Sequence, residues 1–120
     1  MKIGLHLKHL KYDLYGENIK DSDCSNFFKT SKLHLSISLE IAIAHFNNEK
    51  ISYEKICKNI PQKIGSRSSI QTILNLGTKL DFFKKKELNH DRRVKNFTLS
   101  NKYEKMIVDW VKRQQKYLYS

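Results

Sequence analysis

Apolar and polar positions follow their most regular pattern near the carboxyl end of the chain. Over residues 101–118 the apolar side chains recur every three or four positions, which predicts an amphipathic helix. Ser100 stands directly before this segment and has a hydroxyl suited to capping its first turn. The predicted apolar face consists of Tyr103, Met106, Ile107, Trp110, Val111, Tyr117 and Leu118. The predicted charged face consists of Lys105, Asp109, Lys112, Arg113 and Lys116.

A second apolar segment, 33–46, fits two patterns. Its odd positions up to Ile43 are apolar, as in a strand, but the same residues form two apolar faces on a helix. The length, the alanines and the loss of alternation after Ile43 favour the helix. We expect such a helix to be covered on both faces, for example by a domain core and a partner subunit. One face holds Leu35, Leu39, Ala42, Ile43 and Phe46, and the other holds Leu33, Ile37, Ile41 and Ala44.

The amino-terminal segment fits two interpretations. Its first apolar positions alternate as in a strand, whereas Leu7, Leu10 and Leu14 have helical spacing. A polar stretch over residues 16–26 is interpreted as a connector. We therefore expect an arm or a helix within residues 1–30.

Two further helical segments are separated by a turn. Ser52 is placed to cap a short helix over residues 53–59, and Pro61 ends it because proline lacks a backbone N–H group. Gly65 lies in the turn that follows.

The next helix is predicted over residues 67–80, with Ser66 as its cap. Gly77 inside it lowers the helix propensity, so we expect another group to pack closely there. The apolar residues of this helix are Ile70, Ile73, Leu74 and Leu80.

A β-hairpin is predicted after these helices. Phe82 and Phe83 begin its first strand, residues 87–92 form the turn, and residues 94–99 form the return strand. A short helix, a turn, a second helix and a hairpin together make a winged helix-turn-helix. The predicted fold class is therefore mainly α with a small β-hairpin.

The second helix of a helix-turn-helix lies in the major groove of DNA. Arginine can bind guanine through two hydrogen bonds, glutamine can pair with adenine, and serine or threonine can reach phosphates or bases. Serines at a helix start also act simply as caps, so both roles stay open for them. The candidate DNA contacts are Ser66, Arg67, Ser68, Ser69, Gln71 and Thr72.

The net charge of +11 is concentrated in one part of the chain. Residues 1–49 have a net charge of zero, residues 50–99 have +8, and residues 100–120 have +3. A local basic surface indicates a polyanionic partner, with nucleic acid first and an acidic membrane second. A generally lysine-rich surface is the alternative, and it would spread the charge evenly.

Other chemistry is sparse. No apolar run approaches the roughly 20 residues of a membrane span, and the amino terminus lacks the apolar core of a secretory signal. Cys24 and Cys57 fit reduced thiols. His6 and His9 could share a helix face, but two lone histidines lie in solvent more often than they bind a metal. We expect a cytoplasmic protein that is not an enzyme and has no metal and no cofactor.

The segment DRRVKNFTLS resembles the wing signature of the MarR family of transcriptional regulators. That signature is an Asp-x-Arg turn that leads into a Leu-Thr helix start. Asp91, Arg93, Leu99 and Ser100 occupy those places, and the similarity extends loosely over residues 31–118.

Three positions depart from the family pattern. Asp81 stands where the family usually has glycine, Gly77 where it often has leucine, and Tyr103 where a glycine commonly follows the Leu-Thr pair. These departures concern small-molecule sensing more than DNA binding, and the existence of an effector is left open.

The resemblance implies that Arg93 reaches into the minor groove while Asp91 holds it. A narrow minor groove attracts arginine, and a carboxylate can fix a guanidinium through two hydrogen bonds. The other expected wing contacts are Lys84, Lys85, Lys86, Arg92 and Lys95. The resemblance also implies dimerisation through the terminal helices, for which the candidates are Tyr103, Ile107, Trp110, Val111 and Leu118.

We interpret the chain as a sequence-specific regulator that binds double-stranded DNA as a homodimer. Residues 1–30 form an amino-terminal arm or helix, residues 31–99 the DNA-binding domain, and residues 100–120 the dimerisation helix. Two alternatives stay open. One is a winged helix that binds protein or RNA, and the other is a basic structural or assembly protein that meets a membrane.

Overall fold

The computed structural model describes residues 2–15, 23–88 and 91–119, and for residues 88 and 91–94 it describes the backbone alone. The described part of the chain consists of six helices and one antiparallel two-stranded sheet, β1-β2. In chain order the elements are α1 (Ile3–Tyr15), α2 (Asp23–Phe28), α3 (Lys32–Phe46), α4 (Tyr53–Asn59), α5 (Arg67–Lys79), β1 (Phe83–Leu88), β2 (Asp91–Leu99) and α6 (Asn101–Leu118).

The helices predicted from the centre to the end of the chain are confirmed. α4 and α6 have the predicted bounds, while α3 begins one residue earlier than expected and α5 ends one residue earlier. The three predicted caps are also confirmed. Ser52, Ser66 and Ser100 each accept a hydrogen bond from the backbone N–H three residues on, at 3.2 Å in each case. Local capping chemistry therefore fixes where these helices start.

The amino-terminal segment is a helix, α1, rather than an extended arm. The polar connector needs a correction, because Asp23–Phe28 form the short helix α2. Phe27 and Phe28 at its end are 6% and 1% exposed, and their burial outweighs the polar composition of the segment. The rest of the connector, residues 16–22, lies outside the described residues.

The hairpin is confirmed, but its predicted turn is too long. Glu87 pairs with Lys95 and Leu88 with Asp91, with an irregularity between the two pairs, so the ladder continues into the predicted turn. The backbone hydrogen bonds of a ladder form whether or not the side chains are apolar. Phe82 precedes β1 instead of belonging to it.

The wing is attached to the start of α4. The Phe97 N–H group donates to the Ile51 carbonyl at 2.9 Å, and Ser52 forms an isolated bridge with Asn96. This pairing places the base of the wing beside the first turn of α4.

α5 ends in a Schellman motif. The Asp81 N–H donates to the Thr78 carbonyl at 3.1 Å, and the Phe82 N–H donates to the Gly77 carbonyl at 2.8 Å. Asp81 has a φ of 62°, in the left-handed region that favours glycine. This geometry gives a physical reason for the glycine of the MarR-like pattern at this place.

Aromatic rings fill the centre of the core. Tyr103 is completely buried, and its ring stacks on Phe82 with centroids 5.2 Å apart. A side chain at Gly77 would collide with the Phe83 ring, so the predicted close packing at Gly77 is confirmed. Of the apolar residues predicted for α5, Leu80 forms its C-cap and is 43% exposed.

The two apolar faces of α3 have different surroundings. The face with Ile37 and Ile41 is buried, whereas Ile43 and Phe46 on the other face are 57% and 46% exposed. The expectation that both faces are covered is therefore not met within one chain.

Candidate nucleic-acid interface

The helix-turn-helix consists of α4, the turn over residues 60–66, and α5. Gly65 in this turn lies so close to α3 that any side chain there would collide with Leu33. At the other end of α4, the Tyr53 hydroxyl donates to the Arg67 carbonyl at 3.0 Å. The start of α5 is therefore fixed on both sides by α3 and α4.

α5 has one buried and one exposed face. Ile70, Ile73, Leu74 and Gly77 are buried. The exposed face is centred on four polar residues, which recur every three or four positions and therefore lie in one line along the helix. These residues are Ser68, Thr72, Asn75 and Lys79. Asn75 and Lys79 were not among the predicted contacts, although the helical spacing from Ser68 and Thr72 would have identified them.

Several of the predicted contacts have partners within the helix. The Ser66 hydroxyl accepts from the Ser69 N–H group as a cap, and the Thr72 hydroxyl donates to the Ser68 carbonyl at 3.0 Å. Gln71 Nε2 donates to Asn75 Oδ1 at 2.8 Å. Ser66 therefore has a structural role whether or not it also contacts DNA.

Arg67 lies at the edge of this exposed face, where it is held by α4. Its Nη2 donates to Glu54 Oε1 at 2.6 Å, and its guanidinium carbon lies 5.3 Å from the centroid of the Tyr53 ring. Hydrogen bonding to Arg67 lowers the pKa of the Glu54 carboxyl below its ordinary value, and the same contact raises the pKa of Arg67. Both side chains are largely exposed.

The wing lysines do not share one face. Lys85 and Lys95 line a cleft of about 570 Å³, together with Tyr53 and with Gln71 of α5. Lys84 and Lys86 line a different cleft, of about 610 Å³, with His45 and other residues of α3 and α6. Side chains alternate along a strand, so neighbouring lysines point to opposite sides of the sheet.

The predicted wing tip is described by its backbone alone. The side chains of Asp91, Arg92 and Arg93 lie outside the described residues, and the roles expected for them stay predictions. Their backbones belong to β2.

His45 lines the cleft that contains Lys84 and Lys86, and both of its ring nitrogens form hydrogen bonds. Its Nδ1 accepts from the Leu99 N–H group at 3.3 Å, and its Nε2 donates to Glu104 Oε1 at 3.1 Å. These contacts join the end of α3 to β2 and to α6.

The expected dimerisation face of α6 needs a correction. Tyr103 and Ile107 are 0% and 4% exposed, so their side chains belong to the core of their own chain. Trp110 also packs inward, with its ring 5.4 Å from that of Phe28. Val111 is 40% exposed, and Leu118 is half-buried.

α1 packs on α6 through polar side chains. The carboxylate of Asp13 is buried, and it accepts from Gln114 Nε2 at 3.1 Å and lies 3.4 Å from Arg113 Nε. Arg113, expected on the charged face of α6, pairs with this carboxylate and is only 24% exposed. His9 stacks on Tyr117 with centroids 3.8 Å apart.

Within the described residues, no three His, Cys, Asp or Glu side chains are grouped to hold a metal ion.

This arrangement leaves the apolar side of α1 uncovered. Ile3, Leu7 and Leu14 are 64%, 58% and 64% exposed. Together with Leu10 they alternate in steps of four and three residues, which is the spacing of a helix–helix seam. The helical spacing is visible in the sequence, but none of these residues was named among the candidates for dimerisation through the terminal helices. We call Ile3, Leu7, Leu10 and Leu14 the α1 seam.

No helix among the described residues is long and apolar enough to cross a bilayer. The comparisons with known proteins give a match in structure alone: no protein-family model matches the sequence, and no curated protein matches it.

Several solved structures share the fold. FabT of Streptococcus pneumoniae, solved in complex with DNA, matches with a TM-score of 0.56 at 20% identity, over 96% of this chain and 75% of that one. The adhesin competence repressor AdcR of Streptococcus pyogenes matches with a TM-score of 0.54 at 14% identity, over 98% and 77%. The transcriptional regulator SlyA matches with a TM-score of 0.51 at 13% identity, over 96% and 73%. The chain therefore shares the fold of these proteins, and its winged helix-turn-helix is the one that the sequence predicted.

Proposed function

We propose that the protein binds double-stranded DNA sequence-specifically as a homodimer and regulates transcription, with α5 in the major groove and the wing at the minor groove. One observation carries this proposal. α5 has an exposed line of polar side chains, Ser68, Thr72, Asn75 and Lys79, and two wing lysines lie beside the same helix. These lysines, Lys85 and Lys95, line a cleft together with Gln71 of α5. Hydrogen-bonding side chains on the helix suit base edges, and the lysines suit phosphates.

The fold supports this assignment. FabT, which has the same fold, was solved in complex with DNA. In such a complex the second helix of the helix-turn-helix enters the major groove, and the first helix crosses the backbone. The basic region over residues 50–99 contains α4, α5 and the wing, so its net charge of +8 lies on the elements that would face DNA.

The homodimer is the second part of the proposal. The α1 seam is apolar and largely exposed, and exposed apolar stripes of this kind mark protein–protein contacts. A second copy of the chain fits it, because steps of three and four residues allow two such helices to pack along their length. Ile43 and Phe46 of α3 are further exposed apolar residues that a second copy would cover.

We further propose that the protein is cytoplasmic and is not an enzyme. The structural similarity to regulators supports a binding role rather than catalysis.

A gel-shift titration tests the proposal against its two alternatives. The protein is titrated at two salt concentrations with a mixed-sequence duplex, with RNA of the same length and with anionic vesicles. The proposal expects the duplex to be bound most tightly and its affinity to fall steeply with salt. Preference for RNA, or binding to vesicles without binding to the duplex, would contradict it.

A further inference from the structure

Arg67 is the first residue of α5, and residues of α4 contact both its backbone and its side chain. Its carbonyl accepts from the Tyr53 hydroxyl at 3.0 Å, and its guanidinium donates to Glu54 at 2.6 Å. The Tyr53 ring lies 5.3 Å from the guanidinium carbon. Tyr53 and Glu54 are themselves fixed, because Ser52 caps their helix and bridges to Asn96 of the wing.

This pairing is not needed to hold the fold together. The Arg67 and Glu54 side chains are 59% and 72% exposed, and exposed ion pairs contribute little to stability. Glu54 is also one of only four acidic residues among the sixteen charged residues of positions 50–99. A carboxylate on such a surface repels phosphates unless a cation neutralises it.

The contact with Glu54 restricts the orientation of the Arg67 guanidinium. A guanidinium has five N–H donors in a rigid plane, so one hydrogen bond to a carboxylate orients the others. An arginine fixed in this way loses less side-chain entropy when it meets an acceptor on DNA.

We propose that Glu54 is a positioning residue that orients Arg67 toward DNA and so increases discrimination between the preferred site and other sequences. This inference rests on the proposed DNA-binding function. It assigns to α4, beyond its crossing of the backbone, a part in setting specificity through the first residue of α5.

The experiment measures a ratio of affinities. A preferred duplex is first selected from random DNA with the parent protein. Dissociation constants are then measured for that duplex and for a base-shuffled duplex of the same length. The variants are Glu54→Gln, Arg67→Ala, the double variant Glu54→Gln/Arg67→Ala, and Glu87→Gln as the control. Glu87→Gln removes the same charge from the basic region, but at the wing strand, away from Arg67.

The ratio of the two affinities should fall about tenfold in Arg67→Ala, because alanine cannot donate hydrogen bonds to a base edge. It should fall about three- to tenfold in Glu54→Gln, and the double variant should be no worse than Arg67→Ala, because positioning acts only through Arg67. Glu87→Gln should bind both duplexes more tightly and keep the ratio within about twofold, because it changes only the overall charge. Partial unfolding of a variant lowers both affinities equally and leaves the ratio unchanged.

Two results would overturn the inference while leaving the proposed function intact. The first is an affinity ratio in Glu54→Gln that equals the ratio in Glu87→Gln. The second is a double variant in which the loss of the ratio equals the product of the losses in Glu54→Gln and Arg67→Ala. A parent protein with equal affinity for both duplexes would overturn the proposed function, and this inference with it.

Discussion

Ser38 Oγ and Tyr103 Oη share a buried hydrogen bond of 2.7 Å between α3 and α6, 65 positions apart in the chain. Both side chains are 0% exposed. Burial raises the pKa of the Tyr103 hydroxyl above its usual range, so the group stays neutral. This contact joins the helix at the centre of the winged domain to the carboxyl-terminal helix.

Removing either hydroxyl should destabilise the protein. Ser38→Ala leaves the Tyr103 hydroxyl buried without this partner, and Tyr103→Phe leaves the Ser38 hydroxyl in the same position. Each should lower the free energy of unfolding by about 1–3 kcal/mol, measured by urea denaturation. The double variant should lose clearly less than the sum of the two. Tyr119→Phe is the control, because Tyr119 is 87% exposed, and it should change the stability by less than about 0.5 kcal/mol. Additive losses would show that the two hydroxyls do not depend on each other.

Asp81 should respond to substitution in the opposite way to an ordinary helical residue. At its φ of 62°, glycine has no steric penalty, whereas alanine is strained by about 1–2 kcal/mol. Asp81→Gly should therefore unfold at a higher temperature than Asp81→Ala. At Asn75, inside α5, the order should reverse, because glycine in a helix interior costs about 1 kcal/mol relative to alanine. Thermal denaturation of the four variants checks this, and the same order at both positions would rule out the backbone explanation.

The wing lysines allow a comparison at equal charge. Lys85→Ala/Lys95→Ala and Lys84→Ala/Lys86→Ala each remove two positive charges, but from different faces of the wing. The first pair should weaken duplex binding more. It should also reduce the slope of log affinity against log salt by about 0.9 for each phosphate that the variant no longer neutralises. Titrations at four salt concentrations measure both quantities. Equal weakening in the two variants would mean that binding responds to total charge rather than to the face beside α5.

The α1 seam should control assembly. The chain has a mass of 14.2 kDa, and we expect light scattering to give twice that mass at tens of micromolar. Leu7→Gln/Leu14→Gln should shift the protein toward the monomer, because it places polar groups in the apolar contact. Leu80→Gln changes an exposed leucine away from the seam and should leave the dimer intact. A parent protein that is monomeric, or a dimer that survives both substitutions in the seam, would refute this assignment.

Local sequence signals predicted the helices well. Serine caps and one proline fix the bounds of α4 and α5, and these signals lie within a few residues of the helix ends they determine. The wing resemblance also identified the fold. α2 was not predicted, because several of its residues are polar. Its two phenylalanines are buried only through contacts with α3 and α6, which the local sequence does not indicate.

The site was predicted less completely, because its geometry depends on distant contacts. Glu54 and Arg67 are 13 positions apart, and nothing in the sequence indicates that they pair. Asp13 lies 100 positions from Arg113, so the inward polar side of α1 could not be foreseen. The opposite placement of Lys84 and Lys85, in contrast, follows from strand alternation and could have been predicted.

The most direct test of the account is a comparison of two duplexes over a range of salt. Duplexes enriched by the protein from random DNA are measured beside shuffled versions of the same composition. We expect the enriched duplex to be bound about 10³-fold more tightly or better, with log affinity falling linearly and steeply with log salt. Equal affinity for the two duplexes, or no enriched sequence at all, would contradict the claim that α5 reads a DNA sequence.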